Sequence, residues 1–284
     1  MIRTLLAAAL VTMAIPAAAQ DHSPHAAHGA PDYAAALAGT HRSAANRARD
    51  PYRHPAETLA FFGLQPGMTV VEVAPGGGWY TEVLTPILAG HGKLYAAHGI
   101  PEASEYAAKS LAGYQAKLAS NPLYKDVEIT RFGKGRYDSL APAGSADMVL
   151  TFRNVHNWYM DGFADDAFKA FYTALKPGGV LGVVEHRLPE DRPDEAMKSG
   201  YMKRSAIVAM AEVAGFRLVG ESQVNANPKD TADWPKGVWT LPPSFGEGEK
   251  DRARYAAIGE SDRMTLKFVK PLPGCSVPAC AGSD

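Results

Sequence analysis

The sequence predicts an α/β protein built on one doubly wound, mostly parallel sheet of seven strands, and three observations predict it. From about residue 64 onward, short apolar runs alternate with longer amphipathic segments, the pattern of successive β-α units. The first of these runs ends in an acid and a glycine cluster just before a helical segment, a turn where missing side chains let backbone approach a ligand closely. Leu175-Lys176-Pro177-Gly178-Gly179 then stops a helix and turns the chain into another apolar run, as a helix end followed by Pro and Gly should.

Taken in order, a helix over 55–62 has Pro55 at its first position, Leu59, Phe61 and Phe62 inside, and Gly63 just past its end, the usual Pro-start and Gly-stop asymmetry. Gln65-Pro66-Gly67 turns the chain into the first strand, 69–74. Further strands are expected at 93–98, 127–132, 146–152, 180–186, 217–221 and 264–269, with helical segments at 79–89, 102–119, 162–175 and 198–214 between them. The last helix shows Ile207, Met210, Ala211 and Ala214 at helical spacing and closes on Gly215, in the position that favours glycine. A long connection, 222–262, carries Trp234 and Trp239 among prolines and glycines; loops of that length are ordinarily functional or partly structured. No internal repeat is present.

The 284 residues are 46% hydrophobic and 21% charged, enough to bury a large core and incompatible with a disordered chain. A formal net charge of -1 supplies no basic field for phosphate backbones, so nucleic acid is not an expected partner. Arg3, the apolar run from Leu5 to Ile15 and Pro16-Ala17-Ala18-Ala19 read as a signal peptide, 1–19, and hence as a periplasmic or secreted protein. The run is too short to span a bilayer and no later stretch is long enough, so no integral membrane segment is expected. Residues 20–40 read as a flexible lead-in holding His22, His25 and His28; no carboxylate cluster completes a closed site there, and no metal ligand is assigned. The main domain is placed at 41–270 and a tail at 271–284. The two cysteines, Cys275 and Cys280, lie in that tail, where an oxidising compartment would permit a small disulfide loop.

The segment Val70-Val71-Glu72-Val73-Ala74-Pro75-Gly76-Gly77-Gly78-Trp79-Tyr80-Thr81-Glu82 carries most of the functional information, because ligands of open α/β sheets sit at the carboxyl ends of strands. A nicotinamide fingerprint started at Gly76 would end on Thr81 rather than glycine, and neither a Gly-Lys-Ser/Thr phosphate loop nor a G-x-S-x-G elbow is present. The segment resembles the first motif of class I S-adenosylmethionine-dependent methyltransferases, acid-x-Gly-x-Gly-x-Gly, with Glu72, Gly76 and Gly78 matching and Ala74 in place of the first glycine. Ala146-Asp147-Met148-Val149-Leu150 is similar to that family's fourth strand, and Leu175-Lys176-Pro177-Gly178-Gly179-Val180-Leu181 to its fifth-strand entry. The run Asn46-Arg47-Ala48-Arg49-Asp50 to Arg53-His54-Pro55, with the signal peptide, resembles a group of predicted exported methyltransferases.

The resemblance covers roughly 55–270 and implies a Rossmann-like sheet whose last strand is antiparallel, S-adenosyl-L-methionine as cofactor and a small-molecule acceptor. It assigns cofactor contacts to Glu72, Ala74, Gly76, Gly78, Tyr80 and Asn154. His98 stands at the end of the second strand, where the family has an acid for the ribose hydroxyls, and offers one such contact rather than two. Asp138 is the acid nearest the adenine region. After the fourth strand, Thr151-Phe152-Arg153-Asn154-Val155-His156-Asn157-Trp158-Tyr159 supplies His156 as the candidate general base, with Trp158 and Tyr159 expected to shape an acceptor pocket. A helix cap is the alternative role for His156. Glu185 and His186 end the fifth strand at the same edge and remain open between site and core. The expected function is methyl transfer to a small or medium acceptor; the alternative is a non-catalytic periplasmic ligand-binding module on the same fold.

Overall fold

A computed structural model describes residues 29–137 and 139–274. The expected signal peptide at 1–19, the three N-terminal histidines, Asp138 and the two cysteines lie outside the described residues. The described residues begin with four short helices, α1 Tyr33–Ala38, α2 Ala44–Arg47, α3 Asp50–Arg53 and α4 Pro55–Phe62. It continues through β1 Thr69–Val73, α5 Thr81–Leu88, β2 Lys93–His98, α6 Glu105–Ala119, β3 Val127–Arg131 and β4 Ala146–Phe152. Then come α7 Val155–Met160, α8 Ala164–Ala174, β5 Leu175–Leu188, β6 Met202–Lys203, α9 Arg204–Val213, β7 Arg217–Ser222, α10 Arg252–Ile258 and β8 Arg263–Val269.

The strands order as β3-β2-β1-β4-β5-β8-β7. β3, β2, β1, β4 and β5 pair in parallel, whereas β8 runs antiparallel to both β5 and β7. The expected seven strands and their antiparallel last member are all present. The eighth, β6, is a two-residue parallel pairing with Arg187 and Leu188, too short to leave a periodic signal.

Side chains alternate across the sheet, so β1 sends Val70 into one core and Val71 and Val73 into the other. Val70 belongs to the same buried cluster as Leu59, Phe62 and Leu84 of α4 and α5; Val71 and Val73 belong to the one that holds Phe168, Phe171 and Ile207 of α8 and α9. At Gly182 of β5 a Cβ would stand 2.7–2.9 Å from Leu150 and the Phe62 ring, so the missing side chain lets α4 lie on the sheet.

Two departures from expectation are local. Residues 33–38 of the lead-in form a helix: Asp32 accepts a hydrogen bond from the Ala35 amide at 2.8 Å, and Ala36 is buried with Leu84 and Ile87 of α5 in one cluster. β5 starts at Leu175 rather than 180, because Leu175 pairs with Ala146 across a register shift that absorbs the Pro-Gly-Gly turn.

Candidate active site

The carboxyl ends of β1, β4 and β5 open into a cavity of about 400 Å³, within the range of small-ligand sites. Helices α2 and α3 close one side with Asn46, Arg49 and Arg53. The long connection before β8 closes another with Trp239, Pro242 and Pro243, and Glu260 and Ser261 complete the wall. That connection is partly structured, with a 3-10 turn at Gly237–Thr240 and α10.

The glycine loop forms the floor. Ala74 sits in the left-handed region at φ 52° with its amide donating to Ala97 O at 2.9 Å, a conformation that costs an alanine roughly 1–2 kcal/mol where the resembling family has glycine. Gly76, also left-handed at φ 57°, has open space where its side chain would be. Gly78 serves packing instead: its Cβ would stand 3.0 Å from both Tyr114 and Lys117 of α6, and it does not line the cavity. Glu72 closes β1, is 2% exposed, and accepts a hydrogen bond from Thr81 Oγ1 at 2.6 Å. Burial pushes its pKa up to about 7, against the pull of Thr81 and Lys117.

At the end of β4, Asn154 Nδ2 donates to Val73 O and Thr151 Oγ1, both at 3.3 Å, tying the β4 end to β1. Tyr80 lies stacked on Phe152 with ring centroids 3.4 Å apart. His156, 3% exposed, lines the cavity and has Nδ1 2.9 Å from Glu185 Oε1. With Glu185 ionised, Nδ1 carries the proton and Nε2 is left as the lone-pair nitrogen, the arrangement by which a carboxylate orients a histidine base. Glu185 is itself fixed by the amides of His156 and His186, at 3.3 and 2.8 Å. His186 also lines the cavity, with Nδ1 2.5 Å from Ser261 Oγ; burial and the neighbouring His156 and Arg153 hold its pKa well below the usual histidine value, so it is neutral. His156, Glu185 and His186 bring ligand-type atoms within 4.8 Å of one another. The Glu185 carboxylate is already engaged by His156 and the two amides, so its chemistry here is orientation.

Charge on the opposite wall is dominated by arginine. Glu260 Oε1 accepts from Arg49 Nε at 2.6 Å, and Oε2 from Arg263 Nη1 at 3.2 Å with Arg53 Nε 3.5 Å away. Arg263 also donates to the carbonyls of Tyr52 and Ser261. Arg153 follows β4 at φ 64°, its amide donating to Val184 O at 2.7 Å.

The structure therefore brings Glu72, Ala74, Gly76, Tyr80, Asn154 and His156 to one cavity and leaves Gly78 and His98 outside its lining. His98 is 3% exposed beside Tyr114, with ring centroids 5.3 Å apart. Neither ring nitrogen makes a hydrogen bond of good geometry. Burial lowers its pKa, partly offset by the backbone at Gly76 and Gly99. Trp158 and Tyr159 do not shape the pocket as expected. The α7 turn carries Trp158 into the core against Phe132 and Phe171, and Tyr159 lies at the surface; Trp239 and Phe152 supply the aromatic wall instead. Arg49, Arg53 and Glu260 went unassigned in the sequence. The basic pair spaced four apart just before Pro55 was the available signal.

No family model and no curated protein matches the chain. Solved structures do match in fold. A SAM-dependent methyltransferase from Aquifex aeolicus aligns at a TM-score of 0.54 and 17% identity, over 78% of this chain and 93% of that one. The [4+2]-cyclase SpnF aligns at 0.54 and 17%, over 78% and 80%. The phosphoethanolamine N-methyltransferase 2 of Haemonchus contortus, solved with S-adenosyl-L-methionine, aligns at 0.50 and 15%, over 78% and 53%. The chain has the Rossmann-like fold of SAM-dependent methyltransferases, and at these identities the likeness is one of fold.

Proposed function

We propose that the protein is an S-adenosyl-L-methionine-dependent methyltransferase, exported to the periplasm or beyond, that methylates a small or medium acceptor. The observation that carries this reading is the left-handed glycine loop and buried Glu72 opening together into the cavity beside His156. The residues present fit the cofactor. Gly76 leaves open space at the floor, Glu72 offers a carboxylate to a cationic ligand, and Asn154 fixes the loop edge. When bound, the cofactor supplies an electrophilic methyl group on a sulfonium. The chain's own work is then alignment, exclusion of water by Trp239 and the Pro242-Pro243 wall, and removal of the acceptor's proton by His156 Nε2 with Glu185 holding the imidazole. The [4+2]-cyclase on this fold makes methyl transfer a property to be tested in the site.

Calorimetry of the protein lacking residues 1–19 with S-adenosylmethionine and S-adenosylhomocysteine tests the reading; silence at millimolar ligand would end it. Binding without turnover on any acceptor would favour the non-catalytic module. His156→Ala is expected to slow turnover roughly 10²–10⁴-fold, the usual contribution of a positioned base, while S-adenosylhomocysteine affinity stays near that of the native protein. A variant that turns over normally would leave His156 the structural role of holding Glu185.

A further inference from the structure

The cavity holds more positive charge than its own acids neutralise. Arg49, Arg53 and Arg153 line it, and the only acids among the described lining residues are Glu72 and Glu260; behind the lining, Arg263 bonds Glu260 and Glu185 bonds His156. Both oxygens of Glu260 are taken by Arg49 and Arg263. Arg53 is 2% exposed, yet its Nε and Nη2, like Arg49 Nη2, are buried with no hydrogen bond. Its guanidinium is fixed over the Trp79 ring, 4.5 Å from the centroid. Arg153 makes no side-chain hydrogen bond to any described residue, and its left-handed backbone at the end of β4 places it at the same cavity. Burial and the nearby Arg153 push the Arg53 pKa down to about 8, and burial and Arg263 push that of Arg153 to about 10, so each cation is held where a further anion would relieve it. A buried guanidinium with idle donors is costly, and its planar fork matches a two-oxygen anion.

The cofactor does not supply that anion in net terms. S-Adenosylmethionine carries a sulfonium, an ammonium and one carboxylate, so loading it adds positive charge to a wall that already has an excess. We infer that the acceptor itself bears an oxyanion, a carboxylate or a phosphate, held by Arg53 and Arg153 between helix α3 and the end of β4. The word acceptor rests on the methyltransferase reading; the oxyanion site does not.

Titration of the purified protein with inorganic phosphate and, separately, malonate, at constant sodium chloride and with or without saturating S-adenosylhomocysteine, tests the inference by calorimetry and thermal shift. One of the two anions should bind saturably, raise the unfolding midpoint and still bind with S-adenosylhomocysteine present; which one does so separates the phosphate from the carboxylate class. Arg53→Met and Arg153→Met should each weaken that binding at least tenfold. Should Arg53→Met fail to fold, Arg153→Met decides, because removing its side chain leaves no partner bereft. Absence of binding above the chloride background, native-like binding in the variants, or one-for-one displacement by S-adenosylhomocysteine would each overturn the inference, the last by assigning the arginines to the cofactor's own carboxylate. Anion binding without any cofactor binding would sink the methyltransferase reading and leave the oxyanion site standing.

Discussion

Glu260→Gln is expected to lower the unfolding midpoint by roughly 10 °C at pH 7, a larger stability loss than any other single change at the cavity. Glu260 is 4% exposed and serves three guanidiniums at once. Burial alone would raise its pKa; Arg263, Arg49 and Arg53 outweigh burial and hold it at about 2. Removing one partner of a buried ion pair costs about 3–5 kcal/mol. Arg49 is 24% exposed on its side chain, so solvent screening argues for the lower end, and each kcal/mol moves a domain of this size by roughly 2–4 °C. Because the folded-state value lies below the ordinary 4.5, the stabilisation is fully present above about pH 4.5 and is lost as pH falls toward 2, worth roughly 3 kcal/mol in all. Thermal melts between pH 3 and 8 should show that acid limb in the native protein and its loss in the variant. An unchanged midpoint at pH 7 would mean the arginines find their counter-charge elsewhere.

What the sequence disclosed about this molecule follows from where its information is local. β4, buried on both faces, reads as one apolar run, and its expected bounds coincide with the observed strand, as do those of β2 and α4. Pro55 and Gly63 delimit α4 by backbone rules that need no tertiary context. Helices α1 to α3 have four to six residues, too few turns for a period to emerge. The site divides in the same way. Glu72, Gly76, Asn154 and His156 sit on the β1 and β4 ends, where the sheet itself predicts a ligand. Arg49 meets Glu260 across 211 residues of chain, a convergence no spacing rule reveals. Trp158 shows the converse: two residues after His156 in sequence, it is turned to the opposite side by the helical period of α7 and lies in the core.

Glu72 should make cofactor binding tighten with pH, and Glu72→Gln should abolish that dependence. Its raised value of about 7 has the opposite sign to that of Glu260, because burial dominates and no arginine pairs with it. For folding, the consequence is a stability that is greatest below about pH 4.5 and falls as pH rises through 7, by roughly 3 kcal/mol. For binding, the carboxylate is needed in its charged form beside a cationic ligand, so the apparent dissociation constant is the intrinsic one divided by the ionised fraction. That fraction rises roughly twentyfold between pH 5.5 and 7.5 for a group titrating near 7. Burial holds both His98 and His186 below the usual histidine value. Calorimetry with S-adenosylmethionine at pH 5.5, 6.5 and 7.5 should therefore show the dissociation constant falling about twentyfold in the native protein. Glu72→Gln should bind weakly and equally at all three. A flat native profile would place the cofactor's positive charge away from β1, and the methyl donor's orientation in the cavity would have to be reversed.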